Sequence, residues 1–341
     1  MDYQDAKRCG AAMIAGLLHT ILLATPSIAS SEPEYALPID CSGDKTCFIQ
    51  NFVDMNPGPK LRDPFCGRAT FNGHKGTDIR VNNLATMQRG IPVLAMADGI
   101  VTAIRDGVPD RLMETQKDRK RIKGRECGNG VLIDHSVNRK TRHTVQYCHL
   151  AKGSVSVKKG DHVRQGQKIG RIGLSGATQF PHIHFSARKN GKLIDPLTGA
   201  KMGTPCIDSP YSKPLLTEAA LNQVFNMQDQ HFLEDGYSTH GVEGMAILKG
   251  EWEPATIGKP LIYFAKFINL KKGDIIRLSI RGPQGILARS ATKPLNNHKA
   301  AYTAYVGKNK SAPPGVYQGR AIVMREGKTI LSREATRLLL R

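Results

Sequence analysis

Short apolar runs alternating with polar positions, and separated by glycine, proline and asparagine, recur along most of this chain. That period of two predicts strands. In the first half the runs fall at Gly76 to Val81, Pro92 to Ala97, Gly99 to Arg105, Gly130 to His135, Thr141 to Leu150, Lys168 to Gly173 and Ile183 to Arg188. Helical periodicity is confined to Asn83 to Arg89 and, further on, Pro214 to Gln228. A second set of runs covers Ala246 to Lys249, Pro260 to Asn269, Asp274 to Arg281, Ala301 to Gly307, Gly315 to Arg325 and Thr329 to Leu338. Turns at Lys271-Lys-Gly-Asp274 and Arg325-Glu-Gly-Lys328 punctuate it. The pattern predicts an all-β chain: an antiparallel β-sheet domain over 66–205, a connector over 206–244 and a small C-terminal β-sandwich over 245–341.

Ahead of these lies a polar arm, 30–65, broken by Asn56-Pro-Gly-Pro59. The N-terminus reads as a signal peptide over 1–29. Lys7 and Arg8 precede an apolar run from Gly10 to Ala24, and small residues Ser27 and Ala29 offer a cleavage site. The run is too short and interrupted for a good membrane span, so export to the periplasm or beyond is expected, with no stable membrane insertion after cleavage. Losing the leader removes Cys9 and leaves Cys41, Cys47, Cys66, Cys127, Cys148 and Cys206. An even count in an exported chain points to disulfides. In the predicted hairpin of Gly130–His135 and Thr141–Leu150, Cys127 falls close to Cys148, which makes that bridge geometrically plausible.

The net charge of +20 attracts anionic polymers in general. With no compact nucleic-acid motif and no aromatic-interleaved basic patch, nucleic acid is not an expected partner. The basic stretch between Asp106 and Cys127 reads as a solvated, mobile loop, or else as one wall of a substrate groove.

The chemistry concentrates in two stretches, Gly73-His-Lys-Gly-Thr-Asp-Ile79 and Phe180-Pro-His-Ile-His-Phe-Ser186. On a strand His182, His184 and Ser186 share one face, and Ile183, Phe185 and Ala187 the other, which is the core face. His74 and Asp78, four apart, lie on one side of their segment. Two imidazoles and a carboxylate form the ligand set of a catalytic zinc, which keeps one position open for water. A cysteine-peptidase pairing of Cys148 with His149 fails, because adjacent strand residues face opposite ways. Ser175 and Ser186 lack a nucleophile-elbow pattern, and Ser175-Gly-Ala-Thr178 reads as a loop bordering the groove. His135, His143, His162, His231, His240 and His298 fit no constellation and are expected at the surface.

Taken in order, His74-x-x-x-Asp78, Tyr147-Cys-His-Leu150 and Pro181-His-Ile-His-Phe185 resemble the lysostaphin/LytM-type zinc metallopeptidases, which cut peptide cross-links in bacterial cell walls. The resemblance covers roughly residues 66 to 200. It implies that His74, Asp78 and His184 hold one zinc ion per chain, and that His149 and His182 are the catalytic histidines flanking the metal-bound water. It also implies peptidoglycan peptide stems as substrate. Cys148 stands where such proteins usually carry a small residue. Some members lose ligands and act as non-catalytic wall-binding proteins or activators of other hydrolases, the alternative reading for this chain; here every ligand position is filled.

Overall fold

The runs of the first half pair side by side because each has an apolar face that only a neighbouring layer can cover. The computed structural model describes residues 32–40, 47–205 and 214–341. The predicted signal peptide, Cys41 and Cys206 lie outside them. In chain order the elements are β1 (Cys47–Asn51), β2 (Thr77–Val81), α1 (Leu84–Gln88), β3 (Pro92–Leu94), β4 (Gly99–Arg105), α2 (Gln116–Arg121), β5 (Asn129–Asp134), β6 (His143–Leu150), β7 (His162–Val163), β8 (Lys168–Arg171), β9 (His182–Lys189), β10 (Lys192–Ile194) and α3 (Glu218–Met227). Eight strands form one antiparallel sheet in the order β1-β2-β9-β6-β5-β4-β7, with β10 on β9, and β3 pairs with β8 separately. Ile79, Ile133, Val145, Tyr147, Ile183 and Phe185 line its core face, joined by Ala220, Val224 and Met227 of α3.

The second half adds β11 (His231–Ser238), α4 (Gly244–Lys249), β12 (Pro260–Leu270), β13 (Ile275–Gly282), β14 (Gly285–Ala291), β15 (Lys299–Ser311), β16 (Gly315–Arg325), β17 (Lys328–Glu334) and β18 (Leu338–Leu340). They make a three-stranded sheet, β11-β12-β15, and a five-stranded one, β14-β13-β16-β17 with β18 on β16. The two share one core containing Tyr263, Phe267, Ile276, Leu278 and Tyr317. At Gly319 they approach so closely that a Cβ there would lie 2.6 Å from the Tyr263 ring. The chain is thus all-β, as the alternation predicts.

Several boundaries differ from the sequence reading. The predicted connector 206–244 contains β11, which completes the second half's smaller sheet. The predicted arm 30–65 contains β1, an edge strand buried at all five positions, which hides the alternation a half-exposed edge would show. Ala246–Lys249, predicted as a strand, lies in the helix α4, closed by Gly250 at φ +74°. A run of four residues cannot separate a period of 2 from one of 3.6. β14 escapes prediction because most of its positions are only half-buried or exposed. The segment between Asp106 and Cys127 is exposed at most positions, as expected of a solvated loop, but it carries α2 and is tied to the body. The Asp110 carboxylate accepts hydrogen bonds from the backbone N–H groups of Leu174 (2.6 Å) and Lys152 (2.9 Å), and Met113 N–H donates to Thr178 O at 2.8 Å.

Two histidines expected at the surface are buried. His135 and His143 lie at 2% and 0% exposure because parity places them inward with Ile133 and Val145. Nδ1–H of His135 donates to Asp98 O (2.9 Å), and the Tyr147 hydroxyl lies 3.0 Å from Nε2.

Residues Glu32–Arg341 group into one unit, and the seam between the halves falls on β1. Phe48 packs with Leu233 and Ile268. Asn269 donates to Ile49 O at 2.7 Å, and Gln50 donates to Ala300 O at 2.6 Å. Burying three such side chains contributes on the order of 5 kcal/mol to docking. No helix among the described residues is long and apolar enough to cross a membrane.

Candidate metal centre and active site

β2 and β9 run antiparallel with Asp78 opposite His184, so the carboxylate and the imidazole leave neighbouring backbones on one face. His184 Nδ1 lies 2.8 Å from Asp78 Oδ1. His74 comes from the loop ahead of β2, and its Nε2 lies 3.2 Å from both Asp78 Oδ1 and His184 Nδ1. Its Nδ1–H donates to Phe52 O at 2.7 Å, because a carbonyl can only accept; this leaves Nε2 of the neutral ring as an acceptor. Two acceptors facing each other at 3.2 Å call for a shared cation or proton. The donor set therefore fits a divalent metal: two imidazole nitrogens and one carboxylate oxygen, all within 4.8 Å of one another.

Three further residues shape this cluster. Asn51 on β1 donates through Nδ2 to Asp78 Oδ2 at 2.8 Å, turning the other oxygen toward the imidazoles. Asp54, fully buried, accepts from the backbone N–H groups of Gly73 (3.0 Å) and Asn56 (3.1 Å), fixing the loop that presents His74. Gly76 leaves room for a ring: a Cβ there would lie 2.3 Å from Phe185 O and 2.7 Å from His184 Nε2. Burial pushes the Asp78 carboxyl up, but the surrounding imidazoles of His74, His182 and His184 hold it well below the usual carboxylate range. Burial also opposes protonation of His74, yet Asp78 beside it raises the imidazole on balance.

The two remaining histidines reach the same face from different strands. His182 opens β9, with Nε2 3.5 Å from Asp78 Oδ1. Its Nδ1–H donates to Phe180 O at 2.8 Å, so Nε2 is the free nitrogen on the site side. Thr178 Oγ1 sits 3.1 Å from the same Nδ1, and the Phe180 ring packs against the imidazole. Burial pushes His182 down to about 4, keeping the ring neutral at ordinary pH.

His149 arrives by an unusual backbone. At φ +64° it departs from regular strand geometry, a conformation costing a side-chain-bearing residue roughly 1 kcal/mol. Three bonds hold it there. Its N–H donates to Cys127 O (2.9 Å), its carbonyl accepts from Gly173 N–H (2.9 Å), and its Nδ1–H donates to Ser175 O (2.8 Å). The preceding residue is covalently fixed, since Cys148 is bonded to Cys127 across a Cα–Cα distance of 4.8 Å. Cys47 and Cys66 are also disulfide-bonded. The His149 and His182 ring centres are 4.6 Å apart. Burial, with the neighbouring imidazoles, holds His149 well below its ordinary value.

All five residues singled out from the sequence, His74, Asp78, His149, His182 and His184, therefore converge. Ser175 belongs to the same structure: its carbonyl orients His149, and its hydroxyl donates to Leu150 O (2.7 Å) and accepts from Asn129 N–H (2.9 Å). Asn51, Gly76 and Thr178 were not identified as parts of the site from sequence. Gly76 stands inside the His74-x-x-x-Asp78 motif and Thr178 ends the loop read as bordering the groove, whereas Asn51 lies near no recognisable motif.

Residues 72–196 match the model of Peptidase family M23. The chain carries an M23 peptidase domain. Over 137 residues it is 32% identical to the peptidoglycan DD-endopeptidase ShyB of Vibrio cholerae, a match covering 40% of this chain and 25% of that protein. Over 133 residues it is 33% identical to the DD-carboxypeptidase/endopeptidase Mpg of Neisseria meningitidis, covering 38% and 24%. The match thus spans about a quarter of each of these relatives. Among solved structures, the catalytic domain of lysostaphin from Staphylococcus simulans aligns at 26% identity, covering 37% of this chain and 78% of that one, with a TM-score of 0.26. The five converging residues all lie inside the M23 domain, whose family implies a metal.

Proposed function

We propose that this chain is an exported zinc-dependent endopeptidase that hydrolyses peptide cross-links of peptidoglycan. The observation that carries this reading is the convergence of the three donor atoms of His74, Asp78 and His184 beside two histidines whose Nδ1 atoms are both committed to backbone carbonyls. His74, Asp78 and His184 would hold one zinc ion, which when bound supplies Lewis-acid polarisation of a water or a scissile carbonyl. The chain's own contribution is proton handling and orientation. A neutral Nε2 on His149 or His182 can accept a proton from the attacking water as the new C–O bond forms. The same nitrogen then returns that proton to the departing amine as the C–N bond breaks. The other imidazole, whose Nδ1–H is held by a carbonyl, can stabilise the negative oxygen of the tetrahedral intermediate once its Nε2 takes up a proton from solvent as that charge develops. Names of the relatives, and the signal-like N-terminus, support peptide stems of the wall as substrate and a periplasmic or secreted location.

The test is digestion of purified peptidoglycan by the chain from Ser30 onward, with products identified by mass. New amino termini that disappear with chelator and return with zinc are expected. Wall binding without any new termini would replace this reading with that of a non-catalytic wall-binding protein.

A further inference from the structure

The positive charge of the chain is unevenly placed. Residues 245–341 hold 18 of the 49 Lys/Arg but only 5 of the 29 Asp/Glu, and strand register sorts the arginines by face. On β13, Ile276, Leu278 and Ile280 turn into the core, so Arg277, Ser279 and Arg281 turn outward. Ser279 pairs with Arg289 on β14 and with Arg320 on β16, which sets the two guanidinium groups on either side of a small hydroxyl. Arg281 pairs with Gln318, whose side-chain oxygen accepts from Arg337 Nε at 3.2 Å. Arg277, Arg281, Arg289, Arg320 and Arg337 are all exposed. The arginine ion pairs among the described residues are those of Arg121, Arg142, Arg325 and Arg333, so none of the five is neutralised in this way. Glu334, opposite Arg320, brings a carboxylate only to the β17 margin of the face.

With strands about 4.8 Å apart and alternate residues about 6.7 Å apart, these side chains form a two-dimensional lattice of planar cations. Such a lattice is repulsive within the isolated protein, and the apolar core beneath does not require it. Guanidinium groups grip carboxylates in bidentate pairs. The outward positions of β13, β14 and β16 carry no aromatic ring on which a nucleic-acid base could stack.

We infer that the outer face of β14-β13-β16 is a docking surface for the carboxylate-bearing peptide stems of peptidoglycan, separate from the cleavage site. The choice of polymer rests on the function proposed above. The arginine lattice holds the insoluble polymer while the M23 domain works on a neighbouring cross-link.

The test is pelleting of the full chain with insoluble peptidoglycan, carried out in the His182→Ala background so that retention is read without cleavage. Adding Arg277→Gln, Arg289→Gln and Arg320→Gln is expected to weaken pelleting about tenfold or more at low salt and to flatten its salt dependence. The thermal melt should stay in place, since all three positions are exposed. Amidating the polymer's carboxylates is expected to weaken binding of the parent chain to the same degree. Unchanged pelleting of the triple variant, or unchanged binding to amidated polymer, overturns the inference. Loss of DNA binding with peptidoglycan binding intact would assign the face to nucleic acid and overturn it equally. A parent chain that does not pellet also overturns it, while chelator-sensitive cleavage would still stand.

Discussion

The M23 domain and the C-terminal sandwich use one kind of strand to opposite ends. In the M23 sheet, polar side chains are buried and partnered: His74, Asp78, His149, Ser175 and His182 are nearly inaccessible, and all but Asp78 also hold a hydrogen bond to backbone. In the sandwich the interior is made chiefly of Tyr263, Phe267, Leu278 and their neighbours, with Asp274 and Lys266 buried beside them, and most charge is displayed outside. Burying an imidazole is costly unless each nitrogen is satisfied, so the M23 half devotes loops and strained backbone to that purpose. The sandwich meets that need at few places, as where Arg325 pairs with buried Asp274 and Lys266 donates to Gly244 O. The polar cluster therefore lies in the interior of one half, and most of the charge of the other lies on its surface.

Substitutions in the two halves should break different things. The largest effect is expected at His182→Ala, where peptide cleavage falls by about 10²–10⁴-fold while metal content by elemental analysis stays at the parent level. Loss of metal along with activity would make His182 a ligand instead. Phe267→Ala in the sandwich is expected to cost about 4 kcal/mol in denaturant unfolding, leaving the rate per folded molecule unchanged. Reducing Cys127–Cys148 should cost about 3 kcal/mol of stability and lower activity at constant metal content, because His149 follows the bonded residue directly. Full activity of the reduced, metal-loaded protein would show that the three hydrogen bonds to His149 suffice.

A subtler difference is expected with pH. Burial pushes His135 down to about 4, below its unfolded value near 6.5, so between these limits the unfolded chain binds a proton that the folded chain refuses. This contribution is constant above pH 6.5 and costs stability progressively as pH falls, reaching about 3 kcal/mol near pH 4. In His135→Gln the stability difference between pH 7 and pH 4 should shrink accordingly; an unchanged difference would place the acid sensitivity elsewhere. The smallest effect is expected at Arg333→Gln on the sandwich. Its pairing with Asp235 leaves the arginine mostly exposed, so unfolding should shift by less than about 0.5 kcal/mol.

What could be read in advance follows the same division. The five site residues were legible because metal and proton chemistry need particular side chains, and alternation put His182 and His184 on one face. Ser175 was not, since its part in orienting His149 is played by a backbone carbonyl that any residue owns. Nor was the path of His149, whose positive φ runs against the strand pattern around it. His135 was within reach: Val131, Ile133 and His135 share a parity, and continuing that alternation by one step would have placed the ring inside. β1 and β11 were missed because neither alternates: β1 is buried at all five positions and β11 is half-buried at six of its eight.

The seam on β1 also sets an order of events. Asn51, which turns the Asp78 carboxylate, rides on a strand laddered to β2 along one edge and packed against Leu233, Ile268, Asn269 and Ala300 of the second half. A chain emerging N-terminus first holds β2, β6 and β9 long before β12 exists to cover Phe48. A chain cut off before β11 would keep all five converging side chains and the ladder from β1 to β2, yet leave Phe48 on that strand uncovered. The far end of the molecule thus finishes the covering of the strand that braces a candidate metal ligand.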